Sequence, residues 1–343
     1  MIGALVDTDR PPSVSVPASP KGTSRATVSA MPPVRRLSDV LALRADHDSF
    51  LVDVWGVLHA GGPLHAGVVE TLVALARSGA RVTFLSNSSR LGGLITENLV
   101  ALGVPRDVFV EVLSSGDVTR DALAGRTAEV FDRCGASPRV LHVGHAGYVP
   151  WLFELGLAFV EDAANADLVV ATGAFGSEAK LDAVRARLSP LAARGVPLVC
   201  TNPDPLIPSP DGAPVLGPGA LAHAYADLGG PTFLFGKPHA PIYREVLDRL
   251  GVPGKRVVAI GDMLETDIAG ARAAGLASVL VTTGVHAREL RDAPGDDTLE
   301  ALFAAHKTRP DAIIERFGQA ARRQLRRHPR QRARCRDPQR RLP

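Results

Sequence analysis

Asp53 ends the apolar run Phe50-Leu51-Val52, and Gly56 turns the backbone away shortly afterwards. Further along come Ser86-Asn87 behind Phe84-Leu85, then Gly236-Lys237-Pro238, then Asp262 behind Ile260-Gly261, with Asp267 close after it. A carboxylate can attack phosphorus and form an aspartyl-phosphate, which divides one hard step into two. Two anions must then approach each other, so a cation has to lie between them. Asp53 and Asp262 offer hard oxygen ligands for Mg²⁺. Lys237 can neutralise the remaining phosphate charge, and Ser86 with the amides after it can donate hydrogen bonds to phosphate oxygens. Singly, each residue has a plainer reading: a capping Asp, a solvated turn lysine, an exposed Asp267, an N-cap Ser86. The four together, in this order, point to phosphoryl transfer, which asks mainly for positioning and charge neutralisation.

Those residues need elements that carry them to one place. Strands are expected at Phe50–Val54, Arg81–Leu85, Arg139–Val143, Leu168–Ala171, Pro197–Thr201, Thr232–Phe235, Arg256–Ile260 and Ser278–Val281. Helical patterns, such as Gly67–Arg77, lie between most of them. Continuous apolar strands alternating with helices imply parallel sheets with helices on their faces. Asp53, Ser86, Thr201-Asn202 and Asp262 all fall where a strand ends, and open α/β sheets form their sites outside the carboxyl ends of strands.

Composition excludes several classes. A chain of 343 residues has room for two domains, or for one core with a large insertion. No apolar stretch is long enough to span a bilayer, and no basic start leads into an apolar stretch as in a secretory signal. The three cysteines (Cys134, Cys200, Cys335) are scattered, with no metal-ligand spacing, which fits reduced thiols and a cytoplasmic setting. The net charge of +3 hides an uneven distribution. Ten arginines and one acid lie between Gly318 and Pro343, so the rest of the chain is net acidic. Neither nucleic acid nor a membrane is expected as a partner of that body. The first 35 residues, rich in Pro, Ser, Thr and Ala, read as a disordered extension, and residues 318–343 as a disordered Arg-rich tail.

The stretches Asp53-Val54-Trp55-Gly56-Val57-Leu58, Leu85-Ser86-Asn87, Gly236-Lys237-Pro238 and Gly261-Asp262-Met263-Leu264-Glu265-Thr266-Asp267-Ile268 resemble the four motifs of the haloacid dehalogenase-like (HAD) hydrolases. The long insertion between the second and third motifs resembles the cap of subclass IIA, which includes nucleotide, sugar-phosphate and pyridoxal-phosphate phosphatases. Cys200-Thr201-Asn202-Pro203-Asp204 and Gly217-Pro218-Gly219-Ala220 fit the same placement. The resemblance covers roughly Arg36 to Phe317. It implies an α/β fold: a Rossmann-like core with a parallel sheet (residues 36–104 and 231–317) and an inserted α/β cap (105–230). It also implies roles. Asp53 would be the nucleophile and a Mg²⁺ ligand, and Trp55 would lend the metal its backbone carbonyl. Ser86 and Asn87 would bind phosphate, and Lys237 would hold nucleophile and phosphate together. Asp262 would ligate Mg²⁺, and Asp267 would orient Asp262 or a metal-bound water. Asn202 and Asp204 would belong to the cap-side substrate region. The implied substrate is a small phosphorylated metabolite such as a sugar phosphate or nucleotide, and a homo-oligomer is compatible with the sequence.

One departure stands out. Family phosphatases carry an aspartate general acid and base two residues after the nucleophile, and here that residue is Trp55. The run Asp-Val-Trp-Gly-Val-Leu-His resembles a recurrent variant branch of subclass IIA. Loss of a general acid costs ~10²–10⁴ in rate, which slows an enzyme without abolishing it. His59 is the nearest titratable substitute, with a surface role as its plainer reading. Two functions therefore stay open: a slow or selective phosphatase, and a module that binds a phosphorylated metabolite without turning it over. Phosphate-loop, His-Glu-x-x-His and Gly-x-Ser-x-Gly signatures are absent. His142 and His145 read as structural, and Trp151 and Phe153 as core of the inserted region.

Overall fold

The computed structural model describes residues 32–173, 177–208, 214–290 and 294–318. The expected N-terminal extension up to Met31 and the Arg-rich tail beyond Gly318 lie outside the described residues. The strands run in chain order as β1 (Arg35–Leu37), β2 (Ser49–Asp53), β3 (Arg81–Ser86), β4 (Glu111–Ser114), β5 (Arg139–Gly144), β6 (Ala158–Phe159) and β7 (Leu168–Thr172). They continue as β8 (Leu198–Cys200), β9 (Leu206–Pro208), β10 (Pro214–Leu216), β11 (Thr232–Leu234), β12 (Val257–Gly261), β13 (Ala277–Val281) and β14 (Ala312–Ile314).

The larger sheet has the order β1-β14-β13-β12-β2-β3-β4, and every pair in it is parallel. Its central strands are apolar along their length because both faces are covered. Phe50 and Val52 pack on one side with Leu72 and Leu75 of the helix Val68–Arg77. Leu51 and Leu85 face the other way, toward Tyr243 and Val246 of the helix Ala240–Leu250. From β2 the chain steps outward through β3 to β4. From β12, beside β2, it steps the opposite way through β13 to β14. The order reverses between β2 and β12, and the carboxyl ends of those two strands are where such a sheet opens a crevice.

A second parallel sheet has the order β11-β8-β7-β5-β6, and β9 and β10 form a separate antiparallel pair. The apolar cluster under β2 and β3 continues into this sheet through Leu123, Trp151, Leu168 and Val199. The two boundaries expected near residues 105 and 231 both shift. Residues 111–114, expected in the insertion, pair as β4 with β3. Residues 232–234, expected in the core, pair as β11 with β8. A short apolar strand reads the same in either sheet, and connection geometry decides its neighbours. The helix Gly92–Ala101 carries the chain from β3 back to β4. The helix Pro218–Asp227, ended by Gly229-Gly230, returns β11 beside β8. Arg35, expected in the extension, pairs with Ala312 in β1. No helix of the described residues is long and apolar enough to cross a membrane.

Candidate active site

β2 brings Asp53 to the switch point behind four buried residues, Ser49 to Val52. The chain then turns sharply. Leu58 N–H donates to the Val54 carbonyl (3.0 Å) and Gly56 N–H to the His59 carbonyl (2.7 Å). Gly56 sits at φ +86°, in the left-handed region, and a Cβ there would lie 2.0 Å from Asp262 Oδ2. Glycine is needed twice over: for the backbone angle and for the approach of the carboxylate.

β12 brings Asp262 to the neighbouring strand end. Its Oδ2 accepts the Val285 N–H at 2.9 Å. A Cβ on Gly284 would lie 2.1 Å from the same oxygen, so Gly56 and Gly284 together form the cradle of this carboxylate. Asp267 stands on a single π-helical turn, Leu264–Ile268. Its Oδ2 accepts the Met263 N–H (3.2 Å), and Gly261 gives it room. Lys237 follows β11, and its Nζ donates to Asp53 Oδ1 at 2.5 Å and to Asp267 Oδ1 at 2.7 Å. Both ion pairs are almost fully buried.

One ammonium thus faces three carboxylates whose oxygens lie within 4.8 Å of one another. Burial pushes the Asp53 carboxyl well above its usual range, against the pull of Lys237 and with the push of Asp267 and Asp262. Burial, with Asp267, pushes Asp262 up to about 7, although the Val285 amide and Lys237 oppose it. Burial works to lower the Lys237 ammonium, but Asp267 and Asp53 outweigh it and hold it well above its ordinary value. Three carboxyl groups share one ammonium, and burial resists ionising all of them without a further cation, so the site is a cradle of oxygen donors that a cation would complete. A hard divalent cation fits that donor set.

The two strand-end polar groups on β3 have different surroundings. Ser86 Oγ accepts the Ser88 N–H at 3.2 Å, which leaves its own hydrogen free to donate. Asn87 is buried and its side chain is fully engaged. Its Oδ1 accepts the Lys237 N–H (2.7 Å), while Nδ2 donates to the Lys237 carbonyl (3.0 Å) and to Asp204 Oδ1 (2.7 Å). The amide expected to touch phosphate instead ties three loops together. Asn202 Oδ1 accepts the Asp204 N–H (2.9 Å), and burial, eased by Asn87 and Lys237, pushes Asp204 up to about 6. Asn202 and Asp204 thus join the rest of the site through Asn87.

Trp55 keeps 39% of its surface exposed, so the indole is not core packing. Its ring N–H can only donate a hydrogen bond. His59 turns Nδ1 to the Gly61 N–H at 3.1 Å and closes its own loop. Burial, then His65, lowers its pKa. His142 hydrogen-bonds Thr172 (2.6 Å), and Trp151, buried, donates to the Ser89 carbonyl (3.1 Å). Phe153, expected as core, is 45% exposed. Sequence reasoning missed Gly284 and the Val285 amide. A glycine that clears a carboxylate leaves no local signal, and every residue but proline has an N–H.

An aspartate and a lysine at the switch point of a parallel sheet, with two more aspartates beside them, make a site suited to binding and transferring a phosphoryl group. Residues 50–158 and 139–275 each match a haloacid dehalogenase-like hydrolase family, and residues 234–320 a HAD-hydrolase-like one. The glycerol-3-phosphate phosphatase of Gallus gallus is 31% identical over 265 residues, covering 72% of this chain and 83% of that protein. The dihydroxyacetone phosphatase of Corynebacterium glutamicum is 28% identical over 243 residues, covering 69% and 82%. A solved haloacid dehalogenase-like hydrolase from Brucella suis superposes with a TM-score of 0.66 at 29% identity, over 81% of this chain and 98% of that one. The chain belongs to the haloacid dehalogenase-like hydrolases, among that family's phosphatases.

Proposed function

We propose that this chain hydrolyses small phosphate monoesters in the presence of Mg²⁺, through an aspartyl-phosphate on Asp53. The observation that carries the reading is Lys237 Nζ, held between Asp53 and Asp267 with Asp262 beside them. Asp53, Asp262 and the Trp55 carbonyl would hold the ion, which when bound neutralises charge on the phosphate and the nucleophile. Lys237 keeps one Asp53 oxygen engaged and leaves the other to attack phosphorus as the bond to the leaving oxygen breaks. Ser86 and the amides after it receive the phosphate oxygens. Water then attacks the acyl phosphate and releases inorganic phosphate and the free carboxylate. The relatives named for dihydroxyacetone and glycerol-3-phosphate phosphatase activity favour a sugar or polyol phosphate. The second sheet acts as a cap that closes over the substrate and excludes water. Neither nucleic acid nor membrane takes part.

A second reading has its own observation. Trp55 stands where the acid would be, and His59 Nδ1 is occupied in its own loop. On that reading the chain binds a phosphorylated metabolite and does not turn it over. A phosphatase screen over many metabolites with Mg²⁺ decides between them, with Asp53→Asn as control. Turnover abolished by Asp53→Asn supports the enzyme. Turnover that survives the change removes Asp53 as nucleophile, and binding without turnover in the wild type favours the module.

A further inference from the structure

The loop after β13 holds the Asp262 turn at two points. Val285 N–H donates to the Asp262 carboxylate, and the next residue, His286, accepts the Leu264 N–H on Nε2 at 3.2 Å. Leu264 opens the π-helical turn that carries Asp267, and the first amides of such a turn have no partner within it. Leu264 is fully buried, so without His286 its N–H would be an unpaired buried donor. His286 is itself 2% exposed. Neighbouring residues of one loop thus fix the side chain of Asp262 and the backbone just beyond it.

The imidazole is fixed in turn. Because Nε2 accepts an amide hydrogen, the ring proton of the neutral imidazole lies on Nδ1, and Nδ1 donates to Glu289 Oε1 at 3.0 Å. The hydrogen bond from His286 holds the Glu289 carboxyl below its ordinary value, so Glu289 stays an acceptor. A parallel pair ties the same turn to the end of the helix Asp296–Ala305: His306 Nδ1 meets Glu265 Oε1 at 2.5 Å. His286, Glu289 and His306 also lie close enough to suggest a second metal centre. The His286 tautomer argues against it, because the nitrogen that faces Glu289 carries a hydrogen and has no free lone pair.

We propose that His286, oriented by Glu289, is a positioning residue that sets Asp262 and Asp267 for Mg²⁺ binding. It acts through the Leu264 amide and not by contact with the ion. The inference rests on the reading of Asp262 as a Mg²⁺ ligand. Calorimetric titration of Mg²⁺ into metal-free protein tests it, with Asp262→Ala as control. Binding by the wild type that is lost in Asp262→Ala upholds the underlying reading. His286→Ala is then expected to weaken Mg²⁺ binding about tenfold, the lower end of what outer partners of a metal site contribute. His286→Gln, whose amide oxygen falls near Nε2, is expected to restore affinity to within about threefold of the wild type, a smaller loss than the lower end of that range. Wild-type affinity in His286→Ala, or equal weakness in His286→Gln and His286→Ala, overturns the positioning role alone. Should His286→Ala not fold, Glu289→Ala is the deciding variant, since that side chain is half exposed. Weaker Mg²⁺ binding there supports the role, and unchanged binding overturns it. A wild type that binds no Mg²⁺ overturns this inference together with the reading beneath it.

Discussion

Trp55→Asp should convert a selective phosphatase into a general one. The substitution returns a carboxylic acid to a position where the wild type has an indole that transfers no proton. The indole is 39% exposed and outside the apolar clusters, so its removal opens little cavity. Trp55→Ala is therefore expected to stay within about 0.5 kcal/mol of wild-type stability, as for surface changes away from special features. The gain depends on the leaving group. A basic alkoxide needs a proton as it departs, and a positioned acid contributes ~10²–10⁴ in rate, or about 3–5 kcal/mol of barrier. An aryl oxide leaves unprotonated, so its first step gains little. On the proposed mechanism, water attack on the aspartyl-phosphate would also lack a base in the wild type, so phosphorylated Asp53 should accumulate and then decay faster in Trp55→Asp. The assay is steady-state turnover of an aryl and an alkyl phosphate by wild type, Trp55→Ala and Trp55→Asp, with quench trapping of the phosphoenzyme. Equal wild-type rates for the two esters, with no gain in Trp55→Asp, would refute the reasoning. That result would mean another group already supplies the proton.

Asn87→Ala should destabilise the protein by about 2–4 kcal/mol, because it strands the Lys237 amide and carbonyl and one oxygen of Asp204 in a buried site. Equilibrium urea unfolding measures this, and a loss under about 1 kcal/mol would show that water replaces the amide. Asp204 should make stability fall with pH. Its folded pKa, about 6, lies above the ordinary carboxylate value, so the folded state holds its proton longer than the unfolded one. Stability is then lost between about pH 4 and pH 6 and levels off above, and Asp204→Asn should flatten that stretch of the Tm-against-pH curve. A chain ending at Gly318 should keep its turnover and Tm, since the site residues all precede it. Gly318 itself must stay, because its backbone packs against Gly67.

The parts of the fold legible in the sequence are those buried on both faces. Phe50 to Val52 and Val257 to Ile260 read as strands because a parallel sheet demands apolar residues at every position. β1 and β14 are three residues long, too short to show any period. The placement of β4 and β11 depends on which strand lies alongside, and that is a non-local fact. Asp53, Lys237 and Asp262 were legible as chemistry because each follows an apolar run or a glycine, and Asp267 because it stands close behind Asp262; the structure brings the four together. Asn87 was legible as a site residue but not as a brace, since its partners lie 117 and 150 residues away. The Val285 amide was not legible at all.

The adjacency of β2 and β12 has a consequence for how the chain is made. Its N-terminal portion leaves the ribosome with β2 ready, but the strand that covers its other edge is about two hundred residues behind, roughly 10–40 s at ordinary rates of synthesis. Until then β2 is an open apolar edge, and Asp53 is a strand-end acid with neither lysine nor metal partner. An edge of that kind is a template for pairing with other chains. Chaperone dependence in the cell should therefore track the time before β12 emerges, and slowing translation between β4 and β12 should lower the soluble yield without altering the finished fold.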